Sequence, residues 1–396
     1  MQLSKVFLAV VSALCATNAV ATNINNNQES TIDYLWSDTS STNVGYETNG
    51  ILNIIRGGEV QTNLLKIGRA GSNGIVNVVD GGKLTIRASS YSYPLDIGGT
   101  TDVSSTQSKG GTGTLNVSGE GSIVTVSVGT SAMQVGAGAG SGVLNITDGG
   151  KFYHEDPSIS FGGIWIGGRR ATSAETFGIV NVDGKGSELR TASRIIVGTY
   201  GSGSLITSNG GVTRAEATIQ VGNQAETKVY DNLLKVDGTD SIVSAGGILT
   251  VGLAGRGTAV ASDNGTLSAP EIRIANSAGS LGELATGARA GENAVAAGMI
   301  DAQKIIFGSG NGVLTLNHTS SDFSLGADIS GNGAINALSG VSALSGDNSA
   351  YQGDFNIGAP ATLVISEQKI SAPVILRLLA AHWRLIPIMT GSLLTC

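Results

Sequence analysis

Apolar residues in this chain fall two positions apart, inside phrases that recur along its length. One phrase reads Gly-x-Leu/Val-Asn-Val/Ile and occurs at Gly50–Ile54, Gly74–Val78, Gly113–Val117, Gly142–Ile146 and Gly178–Val182. A second, apolar-x-apolar-Gly, ends at Gly68, Gly98, Gly136, Gly167, Gly198, Gly222, Gly252 and Gly308. Its outer positions are apolar throughout, as in Leu65 and Ile67 or Met133 and Val135. Its middle positions are mostly polar, as in Lys66, Asp96, Gln134 and Gln220. Period two marks a short strand with one face in and one face out. After a Gly-Gly turn a third phrase follows the first, as in Leu84-Thr85-Ile86 and Val124-Thr125-Val126. Runs this short, broken by glycine pairs, exclude amphipathic helices. A β-sandwich would not demand near-copies of one phrase.

Three short strands and three turns make a coil of about 24 residues, and sequence periods of this size read as stacked architectures. Stacking pairs each strand with its equivalents above and below, about 4.8 Å away. The pattern predicts an all-β chain: a right-handed, three-sided parallel β-helix, or solenoid. On the order of ten to thirteen coils would give a rod of roughly 50–65 Å. The longer repeats must carry insertions at their corners. Asn53, Asn77, Asn116, Asn145 and Asn181 hold equivalent outward positions. They either stack as an amide ladder or are simply tolerated on exposed strands beside turns. The 59 glycines and 5% aromatic content suit a narrow core of Val, Ile, Leu and Ala.

Segments with a different texture flank the repeats. Residues 1–21 read as a secretory signal: Lys5, an apolar stretch from Val6 to Ala16, and a small-x-small cleavage site at Ala19-Val20-Ala21. Cys15 would leave with it. Cys396 would then be the one remaining cysteine, so no internal disulfide is expected. Residues 22–44 form an Asn/Ser/Thr-rich lead-in or cap, 45–310 the repeats, 311–366 a further set of rungs, and 367–396 an atypical Leu/Ile-rich tail. That tail has no run of 18 apolar residues, so no membrane span is expected in it. A net charge of −7 and the absence of a basic run set nucleic acid aside as a partner.

Signals for chemistry are sparse. His154, His318 and His382 do not fall in a metal-binding spacing, and neither a Gly-x-Ser-x-Gly elbow nor a phosphate loop with its Lys-Ser/Thr ending is present. No metal, cofactor or catalysis is expected. Glu155-Asp156 beside His154, in a corner insertion with Pro157, reads as a solvated turn rather than an acid pair. Tyr91, Tyr93, Tyr153, Phe161 and Trp165 fall in consecutive long repeats near Arg169 and Arg170. On one exposed side they could bind a ligand, stacking on sugars or anchoring a protein. The more economical reading packs these rings under the inserted loops 102–111 and 169–176.

The repeats Thr112–Ser122 and Ser141–Gly150 resemble those of passenger domains of bacterial type V autotransporters, in the adhesin and pertactin-like group. Gly312–Asn317, Phe323–Gly333 and Leu344–Phe355 resemble the stable rungs such passengers carry next to their membrane barrel, where they aid folding during export. The resemblance covers about Gly45 to Ser366. It implies an exported, non-enzymatic protein displayed at the cell surface or outside the cell. It also implies adhesion to host surface glycans or proteins, or self-association. A family member continues into a transmembrane β-barrel of alternating strands, whereas the Gly/Asn/Ser texture here ends after Glu367. The chain therefore reads as C-terminally truncated. Its tail is either out of frame or a genuine short segment that docks elsewhere, and the product could stay in the periplasm. The competing readings are a β-helical polysaccharide-active enzyme and a non-functional fragment.

Overall fold

The computed structural model describes residues 22–87, 93–99, 110–127, 132–157, 162–168, 176–225 and 229–365, with the backbone of Leu376–Leu378, Arg384–Ile388 and Gly391–Thr395. The expected cleavage site at Ala21 lies outside these residues. Most coils contribute one strand to each of three ladders. The path of one coil runs Thr112–Ser118, Ile123–Val126, Ala132–Val135, and then returns as Ser141–Thr147 beside the first. The first ladder is a sheet of 14 strands, from Gln28–Ile32 to Leu376–Leu378. Its pairings are parallel throughout and match the repeated phrase residue for residue: Asn77 faces Asn116, which faces Asn145.

The other two ladders form one 18-stranded sheet. They join because Leu35–Tyr46, Glu59–Arg69, Thr266–Ile274 and Met299–Phe307 run straight through the corner that separates two short strands in other coils. The chain is thus an all-β parallel β-helix.

Inward positions fill a continuous column of aliphatic side chains. Leu115, Val117, Val124, Val126, Met133 and Val135 of a single coil are all fully buried. Burying such side chains contributes roughly 1.5–3 kcal/mol each, but only when coils above and below cover them. This is why the stack grows by repetition. Glycine at the two recurring positions is required by the corner between ladders. Gly136 ends a third-ladder strand with φ +73. Gly142 packs so tightly that a Cβ would lie 2.2 Å from the Gly136 nitrogen.

The lead-in folds as the first coil. Its strands Thr22–Ile24 and Gln28–Ile32 and the long strand Leu35–Tyr46 bury Ile24, Ile32 and Val44. Toward the C-terminus the first ladder continues through Asn311–Asn317, Ala334–Ser339 and Asp354–Ile357, while Phe323–Leu325, Val341–Leu344 and Thr362–Ile365 start a separate small sheet. The core widens here. Tyr351 is fully buried, with ring centroids 5.8 Å from Phe307 and 5.0 Å from Phe355. Its hydroxyl lies 2.9 Å from the carbonyl of Gly333. In the tail, Leu376–Leu378 adds in parallel to Asp354–Ile357. The hairpin of Arg384–Ile388 and Gly391–Thr395 instead pairs antiparallel with Thr362–Ile365.

Candidate functional site

The outward residues of the three ladders differ in chemistry. On the first ladder, the asparagines form an amide ladder. Asn77 donates to Asn53, Asn116 to Asn77, Asn145 to Asn116 and Asn181 to Asn145, at 2.8, 2.8, 2.9 and 2.9 Å. Sequence separations along the ladder range from 24 to 39 residues, so register rather than spacing aligns the amides. The next column over also bonds along the stack: Thr147 donates to Ser118 at 2.9 Å, and Ser208 to Asp183 at 2.6 Å. The amide column then passes through Ile206, Lys235, Val260, Ala285 and Thr315 and resumes at Asn336, which accepts from Asn356 at 2.8 Å. Where it is interrupted, Val260 and Ala285 are buried outward residues, and a strap of residues 288–298 crosses this face. Arg289 ties the strap to Asp231 with bonds of 2.6 and 2.9 Å.

The second ladder presents charged and aromatic side chains. Tyr153, Arg190 and Arg214 stand on successive rungs. The Tyr153 hydroxyl donates to Glu188 at 3.0 Å, Lys151 pairs with Glu188 at 3.6 Å, and Arg190 pairs with Glu216 at 3.1 Å. Burial, then the bond to the Glu188 carboxylate, pushes the Tyr153 phenol up to about 12. A cavity of about 400 Å³ opens here, lined by Tyr153, His154, Glu155, Arg190 and Ala192. Reading His154-Glu155-Asp156 as a solvated turn holds only for Glu155. His154 and Asp156 are each 1% exposed. His154 ends an inward-alternating strand, two residues after the buried Phe152, with its Nδ1 3.1 Å from the Thr191 hydroxyl.

The third ladder departs furthest from expectation. The middle residues of its phrases form an outward column: Lys66, Asp96, Gln134, Trp165 and Ile196. Solvent was expected over them, yet Asp96, Gln134 and Ile196 are only 8%, 2% and 3% exposed. Just past two of these strands the backbone lies against the column. A Cβ at Gly99 would lie 2.6 Å from the Asp96 carboxylate, and one at Gly168 would lie 3.5 Å from the Gln134 side chain. Tyr93 meets Trp165 edge to face, with centroids 5.9 Å apart. Lys66 donates through Nζ to the Tyr93 carbonyl and lies 4.0 Å from Asp96. Burial lowers the Lys66 pKa, and Asp96 opposes that shift. Asp96 Oδ1, Gln134 Nε2 and Trp165 Nε1 are buried without a hydrogen-bond partner.

The sequence candidates are therefore split. Tyr93 and Trp165 meet on the third ladder, while Tyr153 faces outward on the second, beside the cavity. Tyr91, Phe161, Arg169 and Arg170 lie outside the described residues. Sequence reasoning did not single out Lys66, Asp96 and Gln134 as a group. Their shared middle position in the repeated phrase was the available signal. Among the described residues, no group of three or more His, Cys, Asp or Glu side chains is placed to hold a metal ion, and no helix is long and apolar enough to cross a membrane.

No protein-family model matches the chain. It is similar to two Escherichia coli (strain K12) proteins. Over 270 residues it is 30% identical to the uncharacterized protein YuaQ, covering 65% of this chain and 18% of that protein. Over 127 residues it is 35% identical to the uncharacterized lipoprotein YdeK, covering 31% of this chain and 9% of that protein. The chain thus spans less than a fifth of the length of these curated relatives.

Proposed function

We propose that this chain is an exported, autotransporter passenger-like rod that acts in surface adhesion or self-association, without catalysis. The carrying observation is the alignment of outward side chains rung after rung. The asparagine ladder and the hydroxyl–carboxylate column repeat the same groups along one face. A rigid array of this kind multiplies contacts that are individually weak. The signal-like residues 1–21 support export across the inner membrane. The much longer relatives, one of them named a lipoprotein, support display at a cell surface by a larger protein of which this chain resembles a part. Polysaccharide cleavage would need two carboxyl groups set across one exposed site. Glu155 is the carboxylate that lines the Tyr153 cavity, while the neighbouring Glu188 and Glu216 are engaged by Tyr153 and Lys151 and by Arg190. Joined to a working outer-membrane barrel, the chain should make cells aggregate, or bind surfaces coated with host glycans or proteins. Cells that do neither, with the chain verified at their surface, would overturn this function.

A further inference from the structure

The cavity of about 400 Å³ on the second ladder follows from one short side chain. Just past the inward residues Val126, His154, Thr191 and Ala215, an outward column runs Ser127, Glu155, Ala192 and Glu216 on successive rungs. Ala192 places only a methyl between two long neighbours, and it forms part of the cavity wall. Glu155 and Arg190, which also line it, are exposed, so the cavity opens to solvent. Small-molecule sites start at about 300 Å³, so a single ring has room and access here.

The walls offer three kinds of contact. Tyr153 supplies an aromatic ring, held in place by the bond from its hydroxyl to Glu188. Arg190 commits Nε to Glu216 at 3.1 Å and keeps its two Nη groups as donors. Glu155 accepts from Ser127 through Oε2 at 2.6 Å and keeps Oε1 as an acceptor. Tyr153 pairs directly with Arg190, while Glu155 lies two residues further along the Tyr153 strand. Donor and acceptor therefore stand on diagonal corners, about 8 Å apart at the backbone from the rung spacing and the rise per residue. The surrounding charge is balanced: Lys151, Arg190 and Arg214 face Glu155, Glu188 and Glu216. An anion would meet Glu155, and a cation would meet Arg190. An amino acid carries both charges on one carbon, too close together to reach diagonal corners. A pyranose ring points hydroxyls outward from opposite edges. One can accept from Arg190 and another donate to Glu155, while the C–H face of the ring packs on Tyr153 and the Ala192 methyl.

We propose that Tyr153, Glu155, Arg190 and Ala192 form a binding site for one neutral sugar ring on the outer face of the second ladder. This rests on the recognition reading above and names a ligand class for it. Purified full-length chain would be titrated calorimetrically, to millimolar concentrations, with maltose, lactose, cellobiose and N-acetylglucosamine. Glucuronate, glucosamine and alanine serve as the anionic, cationic and zwitterionic comparators. At least one neutral sugar should bind, and more tightly than every comparator. Ala192→Leu fills the cavity from an outward position, so it should weaken that binding about tenfold or more while leaving the unfolding temperature unchanged. Arg190→Gln, at an exposed position, removes the charged donor and should also weaken it about tenfold; this variant decides the matter if Ala192→Leu does not fold. Absence of binding by all four neutral sugars, preference for a comparator, or unchanged affinity in the folded variants would overturn the site. These titrations use no cells, so a refuted site leaves the adhesive function standing, and cells that fail to adhere leave a measured sugar affinity intact.

Discussion

Asn116 sits in the middle of the five-member amide ladder, donating to Asn77 at 2.8 Å and accepting from Asn145 at 2.9 Å. Asn116→Ala removes both bonds and leaves an acceptor on Asn77 and a donor on Asn145. Each bond contributes about 1 kcal/mol net. The column is half-buried, so water can reach part of what is exposed. The expected loss is therefore about 1–2 kcal/mol. Asn181 provides the internal control. It donates to Asn145 at 2.9 Å, while its neighbour on the next rung is Ile206. Asn181→Ala should cost about half as much, because one bond is lost rather than two. Urea unfolding followed by circular dichroism gives the magnitudes, and amide exchange over Thr112–Ser118 localises them. If both alanine variants stay within about 0.3 kcal/mol of wild type, the ladder contributes nothing net and the reasoning fails.

Val197 is fully buried in the third ladder, so Val197→Asp should cost several kcal/mol by burying an unpaired charge; an unchanged thermal unfolding curve would show that this side chain does not face the core. Tyr153 carries a phenol whose pKa is raised in the folded state to about 12. The unfolded chain gives up this proton first, so the stability it contributes is fully present below about pH 10 and is lost as pH rises toward 12. Tyr153→Phe should flatten that part of the stability profile, and a profile with the same slope in both proteins would refute the assignment.

The core was legible because it depends on local alternation. Leu52 and Ile54, or Leu115 and Val117, declare their inward direction by being two apart, and the structure buries all four. The repeated asparagine marked a column, but whether its amides bond depends on rung-to-rung register, which insertions of varying length conceal from the sequence. His154 was misread because it was grouped with the acidic residues that follow it. Counting two forward from Phe152 would have placed it inside. The buried face over Asp96 and Gln134 was not legible at all. Strand alternation says only that these residues point away from the core, and what lies against them is set by backbone just past the strands. The strap at residues 288–298 was hidden for the same reason, since Arg289 meets Asp231 across 58 residues.

Distances along the rungs test the stacked coil most directly. With both native cysteines replaced by serine, spin labels would be placed in two pairs, Val79 with Asp237 and Ser118 with Asp237. These sites share one outward column of the first ladder, with Thr147, Asp183 and Ser208 on the rungs between Ser118 and Asp237. Pulsed electron–electron resonance should give separations near 24 Å and 19 Å respectively, from about 4.8 Å per rung. Moving the label from Ser118 to Val79 should thus lengthen the distance by only about one rung, despite the long insertion between them. Two separations that do not differ by about this step, or that broaden into a featureless distribution, would contradict the fold and the display of aligned faces that depends on it.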